Sequence, residues 1–424
     1  MYMKTQKNKK KINIDIPTIH NINNYNVLLL NIPDTDIIHI HAIIENGHIH
    51  ETKENSGISH LLEHVLVNSW DQCKSYPCLK ILYEKGIHCN ANSGTDYTQY
   101  YVTLTKDNLN EMLDYIITIT TKAEIKQKYI DSEINPVINE LKEYDNNPEN
   151  KLLDLIHQNI YCNEGGKNIS NCKLQLENLK NIKKQELIKY YNEHYTPEKT
   201  TFFVLGNIKK KEIISTLTKL LPNNNVSACL NKVMPCFSNN LESNILYDKW
   251  ENSKIASCKI LYKTKDVLNY IDEIHLNFSL LCLQHVLFHN LRYKKKYIYF
   301  LKCNFNIGLC GTIIEIYYNC DLKNIKKCNN LITQIINKYK NRYFSKKIIN
   351  SSKKMYMIDY SKKKNNIDRI VSFYLNQYLR DKNNLINDKD TKNIILKITK
   401  NNIQNIIRQY MNNEIIAYQS KKKM

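Results

Sequence analysis

The sequence predicts an α+β protein with two similar α/β-sandwich domains, each a mixed, largely antiparallel sheet with helices packed on it. Segments rich in β-branched and aromatic residues alternate with helical periods, and this alternation occurs twice along the 424 residues. Between the two series, Pro222 and three asparagines end a helix, and no clear period returns before about Trp250. We therefore predict a basic arm over 1–25, a first domain over 26–222, a linker over 223–248 and a second domain over 249–424.

The elements of the first domain follow from residue type and period. A β-branched run predicts a strand over 37–44, and Ser56 with Gly57 opens a short helix whose apolar side is buried. Pro136 is expected to interrupt and kink a long helix. The other predicted elements are strands over 100–105 and 200–206 and helices over 109–123, 126–144, 151–161, 184–193 and 211–221.

The second domain repeats the rhythm of the first. Its predicted elements are a strand over 256–262, a helix over 273–291, strands over 297–303 and 312–318, and a helix-rich end. Because strands and helices recur in a similar order, two domains of comparable size are expected.

Composition restricts the function less than it first suggests. The formal net charge of +20 invites a nucleic-acid partner, but the lysines are spread along the chain rather than gathered with arginine and aromatic residues. We therefore expect no nucleic-acid partner. No apolar run is long enough to span a bilayer, and 13 scattered cysteines without a C-x-x-C pair predict mostly reduced thiols. A cytoplasmic location is expected, with an organelle matrix as the alternative.

One run, residues 60–64, places two imidazoles and a carboxylate within about one and a half helical turns. Residues four apart share a helix face, so His60 and His64 can bind one metal ion while Glu63 points into the same space. Two neutral imidazoles suit Zn²⁺, and a third protein ligand would leave a position for a water molecule. The run therefore predicts a zinc hydrolase with Glu63 as base, against the competing interpretation of a helix face with incidental histidines.

A third ligand is expected from another helix, and the segment 133–143 offers three carboxylates. Glu133 and Glu140 are seven apart and share nearly one face, whereas Glu143 lies on an adjacent row. Spacing alone leaves these alternatives open.

Other histidines are expected to be incidental. Those at 39 and 41 share one face of a predicted strand and, with His48 and His50, are interpreted as surface imidazoles without a carboxylate partner. His285 and His289 are four apart on a helix, but Phe288 stands where a base would be needed. An apolar helix with incidental histidines is the better interpretation of that pair.

The segment from Gly57 to His64 resembles the metal helix of the insulinase/pitrilysin family of zinc peptidases, whose motif is H-x-x-E-H. Further matches follow in the same order, covering most of 30–210 and thinning towards about 300. They are Gly86, the pair Asn90–Ala91, the strand 98–101, and Arg292 with Tyr299 seven residues later. The chain resembles the short two-domain form, which is similar to mitochondrial processing peptidase subunits and half-length bacterial members.

The resemblance implies a role for particular residues. Glu140, 76 residues after His64, would be the third zinc ligand, and Glu133 would orient a ligating histidine by a hydrogen bond. The residues Asn90, Ala91 and Ser93 would bind substrate at an exposed edge where the peptide adds as a strand. Arg292 and Tyr299, from the opposite half of the enzyme, would help to stabilise the oxyanion.

The expected function is therefore that of a metalloendopeptidase with one Zn²⁺ per chain, which encloses and hydrolyses short unfolded peptides or processes a precursor peptide. In this family two such domains form only half of a clamshell, so a homodimer or a heterodimer with a related chain is implied. The alternative is a non-catalytic scaffold or peptide-binding subunit. Members of that type lose metal ligands or the base, whereas this chain keeps them.

Overall fold

The computed structural model describes residues 15–70, 72, 77–223, 237–239, 243–251, 254–364 and 366–423. Most of the predicted arm and most of the predicted linker, namely residues 1–14, 224–236 and 240–242, lie outside these ranges. Within them, no helix is both long and apolar enough to cross a membrane. The N-terminal half below means the described residues up to 223, and the C-terminal half means those from 243 onward.

The strands of the described residues form two sheets. The first has the order β1-β2-β6-β3-β5-β4 and the second the order β7-β11-β8-β10-β9. The strands are β1 (Thr18–Ile22), β2 (Tyr25–Asn31), β3 (Ile38–Ile44), β4 (His88–Ser93), β5 (Thr98–Leu104), β6 (Thr200–Gly206), β7 (Ile245–Lys249), β8 (Ala256–Thr264), β9 (Ile298–Gly308), β10 (Gly311–Cys320) and β11 (Ile415–Ser420).

Helices cover both sheets and carry most of the remaining chain. A π-helical turn, His289–Lys294, continues α10. The α-helices are α1 (Ile58–Leu66), α2 (Cys78–Glu84), α3 (Leu109–Thr121), α4 (Gln127–Asn146), α5 (Pro148–Ile160), α6 (Glu164–Asn168), α7 (Cys172–Leu179), α8 (Lys184–His194), α9 (Lys210–Leu220), α10 (Tyr270–Phe288), α11 (Ile325–Asn341), α12 (Lys346–Lys364), α13 (Ile367–Arg380), α14 (Asp388–Lys397) and α15 (Lys400–Tyr410).

Strand β3 is the centre of the first sheet and is buried on both faces. It pairs antiparallel with β5 and β6, and all seven of its residues are buried. His39 and His41 are only 2% and 5% exposed, so the prediction of surface imidazoles is wrong for both. They share a face with Ile43, which packs against α13, and each bonds across to β5 through Thr103 or Gln99. A helix from the other half covers this face, which a local pattern cannot reveal.

The second sheet repeats the topology of the first. In both sheets a parallel pair, β2 with β6 or β7 with β11, is followed by three antiparallel strands in the same chain order. Strand β8 therefore corresponds to β3, and the hairpin of β9 and β10 corresponds to that of β4 and β5. The predicted class of two similar α+β sandwiches is confirmed.

One helix of each half packs on the sheet of the other half. Helix α5 packs on the second sheet, where Leu152 and Ile156 join a core cluster with Leu261 and Ala417. Helix α13 packs in turn on the first sheet, where Tyr374 and its neighbours join Leu28 and Phe203. The connection between the halves is therefore an exchange of helices as well as a covalent link.

The turns of the two corresponding hairpins also meet. Asp96, between β4 and β5, accepts a hydrogen bond from the backbone N–H of Leu309, between β9 and β10, at 3.2 Å. A Cβ at Gly308 would lie 2.9 Å from Oδ2 of Asp96, so this close approach favours glycine. Burial raises the pKa of Asp96 to about 6.

Several sequence predictions are corrected by these elements. Strand β1 lies within the predicted arm, and β7 lies in the last part of the predicted linker, where only Leu246 is buried and no alternation could appear. Helix α4 runs through Pro136 without interruption, because Tyr129 and Ile130 before it and Val137 and Leu141 after it are all buried. The domain limits 26–222 and 249–424 stay predictions.

The cysteines largely follow the prediction. Eight described cysteines carry free thiols, and six of these are buried. Cys78 and Cys162 each take part in a disulfide bond, which the sequence did not predict.

Candidate metal centre and its surroundings

The start of α1 is fixed by a buried acid that sequence reasoning missed. Glu51 is 5% exposed, and its two carboxylate oxygens accept the backbone N–H groups of Gly57 and Ser59, each at 2.9 Å. These are N–H groups that a helix end leaves without partners, and a negative charge there is favourable. His48 lies 3.4 Å from Glu51, so the expectation that it has no carboxylate partner is wrong.

The short helix α1 presents its histidines away from its buried side. Leu61, Leu62 and Val65 are fully buried in the core of the N-terminal half, whereas His60 and His64 each keep 17% of their side-chain surface. Burial of one helix face therefore sets the direction of the other. The two imidazole rings lie 5.0 Å apart, nearly edge to face.

Glu140 on α4 completes a group of three possible ligands. Its Oε2 lies 3.3 Å from Nε2 of His60 and 3.6 Å from Nε2 of His64, and one ligand atom from each residue lies within 4.8 Å of the others. Of the alternatives that spacing left open, the structure brings Glu140 to the histidines and Glu133 behind them. Two imidazole nitrogens with one carboxylate oxygen are a donor set that fits a catalytic Zn²⁺. In the described residues no second group of this kind occurs, and His285 and His289 are exposed.

Glu133 stands behind His64 rather than beside Glu140. Its Oε2 lies 3.2 Å from Nδ1 of His64, while its Oε1 accepts a hydrogen bond from the amide of Asn68 at 3.1 Å. A carboxylate bonded to the ring nitrogen that faces away from the ligand group leaves Nε2 free to bind metal. The hydrogen bond that the resemblance implied for Glu133 is therefore present.

Glu63 lies near the three possible ligands but is not one of them. The side chain is buried, and its Oε2 accepts the backbone N–H of Ser93 at 3.1 Å. Burial raises the pKa of Glu63, although the neighbouring histidines His60 and His64 oppose that effect. A carboxylate beside the ligand group that is not itself a ligand is placed to act as a general base.

The electrostatics of the group favour a cation. Burial alone would lower the pKa of His64, but the hydrogen bond that its ring donates to Glu133 and the charges of Glu63 and Glu140 raise it overall. The pKa of Glu140 is lowered, chiefly by its hydrogen bond with His60. Three carboxylates around two imidazoles thus stabilise positive charge, and a divalent ion would experience the same field.

The residues predicted to bind substrate lie on β4, the outer strand of the first sheet. Strand β4 pairs only with β5, and its residues are exposed or half-buried in alternation. The strand over 98–104 is therefore an inner strand, and 88–93 forms the edge. Asn90 is exposed, with its amide donating to the hydroxyl of Tyr101 at 3.3 Å, and Ala91 is half-buried. Because Ser93 bonds to Glu63, this edge runs directly past the carboxylate.

Arg292 and Tyr299 lie together in the C-terminal half. Arg292, in the π-helical turn, donates to the backbone carbonyl of Ile298 at 2.8 Å, and its guanidinium lies 6.0 Å from the centre of the Tyr299 ring. The hydroxyl of Tyr299 donates to Asp321 at 2.9 Å, which raises the pKa of the phenol. Both side chains are exposed, and the contacts described for them stay within this half. The structure pairs them with each other but does not bring them to His60.

Three functional candidates had no sequence signal strong enough to identify them. Glu51 binds the N–H of Gly57, 6 positions away, and Asn68 bonds to Glu133, 65 positions away. Asp321 bonds to Tyr299, 22 positions away. A helix N-cap motif could have indicated Glu51, but this residue lies six positions before the cap residue, Gly57.

Two family models match this chain. One, described as insulinase (peptidase family M16), matches residues 26–172, and another, described as peptidase M16 inactive domain, matches residues 181–356. The first contains every residue of the metal group, and the second contains Arg292 and Tyr299. The two matches cover most of both halves.

Curated relatives agree with the family models. A probable mitochondrial-processing peptidase subunit beta of Arabidopsis thaliana is 25% identical over 178 residues, which are 42% of this chain and 33% of the relative. An uncharacterized zinc protease of Bacillus subtilis is 28% identical over 187 residues, which are 44% of this chain and 45% of the relative. The chain thus spans less than half the length of these relatives.

Solved structures share the fold over nearly the whole chain. A protease from Helicobacter pylori superimposes with a TM-score of 0.80 at 15% identity, covering 95% of this chain and 99% of that one. The first half of the periplasmic protease PqqL from Escherichia coli gives a TM-score of 0.74 at 15% identity, covering 97% and 93%. With matching models in both halves and the H-x-x-E-H helix in the first, the chain belongs to the insulinase family of zinc metallopeptidases, family M16.

Proposed function

We propose that this protein is a zinc-dependent metalloendopeptidase that hydrolyses short unfolded peptides or processes a precursor peptide. The observation that carries the proposal is the convergence of His60, His64 and Glu140 beside a buried Glu63 that does not join the group. A non-catalytic subunit would have no need for a carboxylate held next to three ligand atoms. The curated relatives named as zinc proteases support the same reading.

Each residue of the site has its own role in the proposed chemistry. Bound Zn²⁺ would be held by His60, His64 and Glu140 and would supply a Lewis acid. Glu63 accepts a proton from the attacking water and passes it to the leaving amine, a role that its raised pKa suits. Glu133 orients His64 through Nδ1.

The edge of β4 is the proposed peptide-binding surface. An extended peptide can add to this edge as a further strand, and its backbone would then run past Asn90, Ala91 and Ser93 towards Glu63. Main-chain hydrogen bonds of this kind require no particular side chain. Unfolded or flexible peptides are therefore the proposed substrate class.

We further propose that Arg292 and Tyr299 act on the substrate bound to another chain. Both are exposed, and their described contacts are with each other and with Asp321 and Ile298 of their own half. The fold of this chain covers 46% of the whole PqqL protease, a single chain with room for two such units. Pairing with a second copy or a related chain would supply the other unit. The cytoplasmic location, with an organelle matrix as alternative, stays a prediction.

The experiment that tests the proposal compares wild-type protein with Glu63→Gln. We expect one zinc per chain by elemental analysis in both, cleavage of a mixed peptide library by the wild type alone, and loss of at least about a thousandfold in turnover for the variant, because the base is removed while the ligands remain. A solution mass of two chains would support the pairing.

Two results would contradict the proposal. Cleavage by Glu63→Gln at the wild-type rate would refute the role of Glu63. Wild-type protein that holds zinc and binds peptides but cleaves none, alone or with a related chain, would favour the scaffold alternative.

The second family model is named an inactive domain, and its match, residues 181–356, contains none of the metal group. That name therefore does not argue against activity at the metal group.

A further inference from the structure

Asn68 is a buried polar residue that contacts three separate elements. It lies just after α1, is 1% exposed, and its Oδ1 accepts the backbone N–H of Cys78, the first residue of α2, at 3.0 Å. Its Nδ2 donates to Oε1 of Glu133 on α4 at 3.1 Å and lies 3.4 Å from the carbonyl oxygen of His64. A buried amide with all of these partners has no freedom to turn.

The donor at Cys78 fixes the orientation of the amide. A backbone N–H can only donate, so the atom of Asn68 that faces it must be the acceptor, Oδ1. Nδ2 then necessarily faces Glu133 and donates to it. The assignment of nitrogen and oxygen in this side chain therefore follows from a group whose role is unambiguous.

The hydrogen bonds of Glu133 extend this assignment of donors and acceptors to the imidazole of His64. Oε1 of Glu133 accepts from Asn68, and Oε2 is the acceptor that faces Nδ1 of His64. An acceptor at this position requires a hydrogen on Nδ1 and leaves the lone pair on Nε2. Nε2 is the atom that lies 3.6 Å from Glu140, on the side of the ligand group.

We propose that Asn68 is a positioning residue that fixes Glu133 and, through it, the tautomer in which His64 binds zinc. This inference rests on the proposed function, since it concerns the same metal group. It adds a third residue to the hydrogen-bond chain, which runs from the backbone of α2 to the metal-binding face of α1. Removing the amide donor takes away one of the hydrogen bonds that hold the carboxylate of Glu133 in place, and this weakens its hold on Nδ1.

The test is a double-mutant cycle on zinc affinity, measured at neutral pH by competition with a chromophoric chelator. Asn68→Leu and Glu133→Ala are each expected to weaken zinc binding by about tenfold or more, the usual effect of losing an outer hydrogen-bond partner. The double variant is expected to bind zinc no more weakly than Glu133→Ala alone, because Asn68 acts only through Glu133. Effects that multiply in the double variant, or an unchanged affinity in Asn68→Leu, would overturn the inference.

Asn68→Asp separates the two bonds of the amide. The new carboxylate keeps an acceptor for the N–H of Cys78 but has no donor for Glu133, and it places two acids side by side. We expect zinc binding at least as weak as in Asn68→Leu. Wild-type affinity in Asn68→Asp together with weak binding in Asn68→Leu would show that Asn68 serves α2 instead.

A control and a distinguishing outcome complete the design. Asn159→Leu, which removes a half-buried asparagine bonded within α5, should leave zinc affinity unchanged. Should Asn68→Leu fail to fold, Asn68→Asp carries the measurement by itself. Wild-type protein without zinc affinity refutes the proposed function and this inference together, whereas normal zinc binding and cleavage in Asn68→Asp refutes this inference alone.

Discussion

The two halves of this protein share a sheet topology but differ in what the first helix after the central strand carries. In the N-terminal half that helix is α1, nine residues long, with His60 and His64 on its half-buried face. In the C-terminal half it is α10, 19 residues long, with apolar residues around most of its surface. Helix α1 presents the possible metal ligands, whereas α10 contributes its apolar residues to the hydrophobic core.

The comparison shows that the repeated fold does not by itself produce a metal site. Three contacts are specific to the first half: the anchoring of the helix start by Glu51, the approach of Glu140 from α4, and the support of Glu133 behind His64. The second half has a long helix α12 after the corresponding elements, but in the described residues no carboxylate from it joins two histidines. Function therefore depends on particular side chains placed on a common scaffold.

The comparison predicts its largest effect for the histidines themselves. His60→Ala should lose zinc and reduce peptide cleavage to background, because two remaining ligands do not hold a catalytic ion. The matched change in the other half, His285→Ala, should leave both unchanged, since that side chain is exposed on α10. Elemental analysis and a peptide-cleavage assay check both. Zinc retained by His60→Ala, or lost by His285→Ala, would contradict the assignment of the metal to the N-terminal half.

A second prediction concerns what the C-terminal half supplies instead of ligands. Arg292→Ala should lower turnover by about a hundredfold or more while leaving zinc content unchanged, as expected for loss of a group that stabilises the oxyanion. Lys294→Ala, an exposed cation in the same turn, should have little effect. Steady-state kinetics with elemental analysis measure both. Equal turnover in Arg292→Ala and wild type would leave the second half with a purely structural role.

The smallest predicted effect lies where the corresponding hairpin turns meet. Burial raises the pKa of Asp96 from 3.8 to about 6, so the folded protein binds its proton more tightly than the unfolded chain does. The resulting stabilisation is present at low pH and is lost as the pH rises from about 4 to about 6.

Asp96→Asn should therefore stabilise the protein at neutral pH, by on the order of 2 kcal/mol, and much less near pH 4. The amide oxygen still accepts the N–H of Leu309, so the contact between the turns is kept. Urea unfolding at several pH values measures the difference, and the exposed Asp107→Asn is the control. A stability gain that does not change with pH would contradict the cause assigned here.

Much of this fold could be predicted from the sequence where a segment carries its own pattern. The strand around β3, the helix of His60 and the helix-rich end have strong local periods, and the structure contains all of them. Strands β1, β2, β4, β7 and β11 were not predicted as strands. β7 is an outer strand with one fully buried residue, and β11 follows a long helical region as a six-residue segment. Their pairing is with distant residues, which no local window contains.

The site was predictable to a similar extent. Its prediction from the sequence failed where a contact depends on residues that are distant along the chain. The H-x-x-E-H run sits on one helix, so its ligands are set by local geometry, whereas the choice among Glu133, Glu140 and Glu143 depends on how α4 crosses α1. Burial of His39 and His41 depends on α13, more than 300 residues later in the chain. The roles proposed for Arg292 and Tyr299 rest on family resemblance and stay predictions.

The exchange of helices between the halves determines where this protein can move. Because α5 and α13 each fill an apolar core in the opposite half, separating the halves would expose those cores to water at considerable cost. The two halves, as far as the structure describes them, should therefore move together as one body rather than swing apart. Under the proposed function, the site would open to admit a peptide and close to cut it at the boundary between this chain and its partner. Assembly with the partner would then control access to the site.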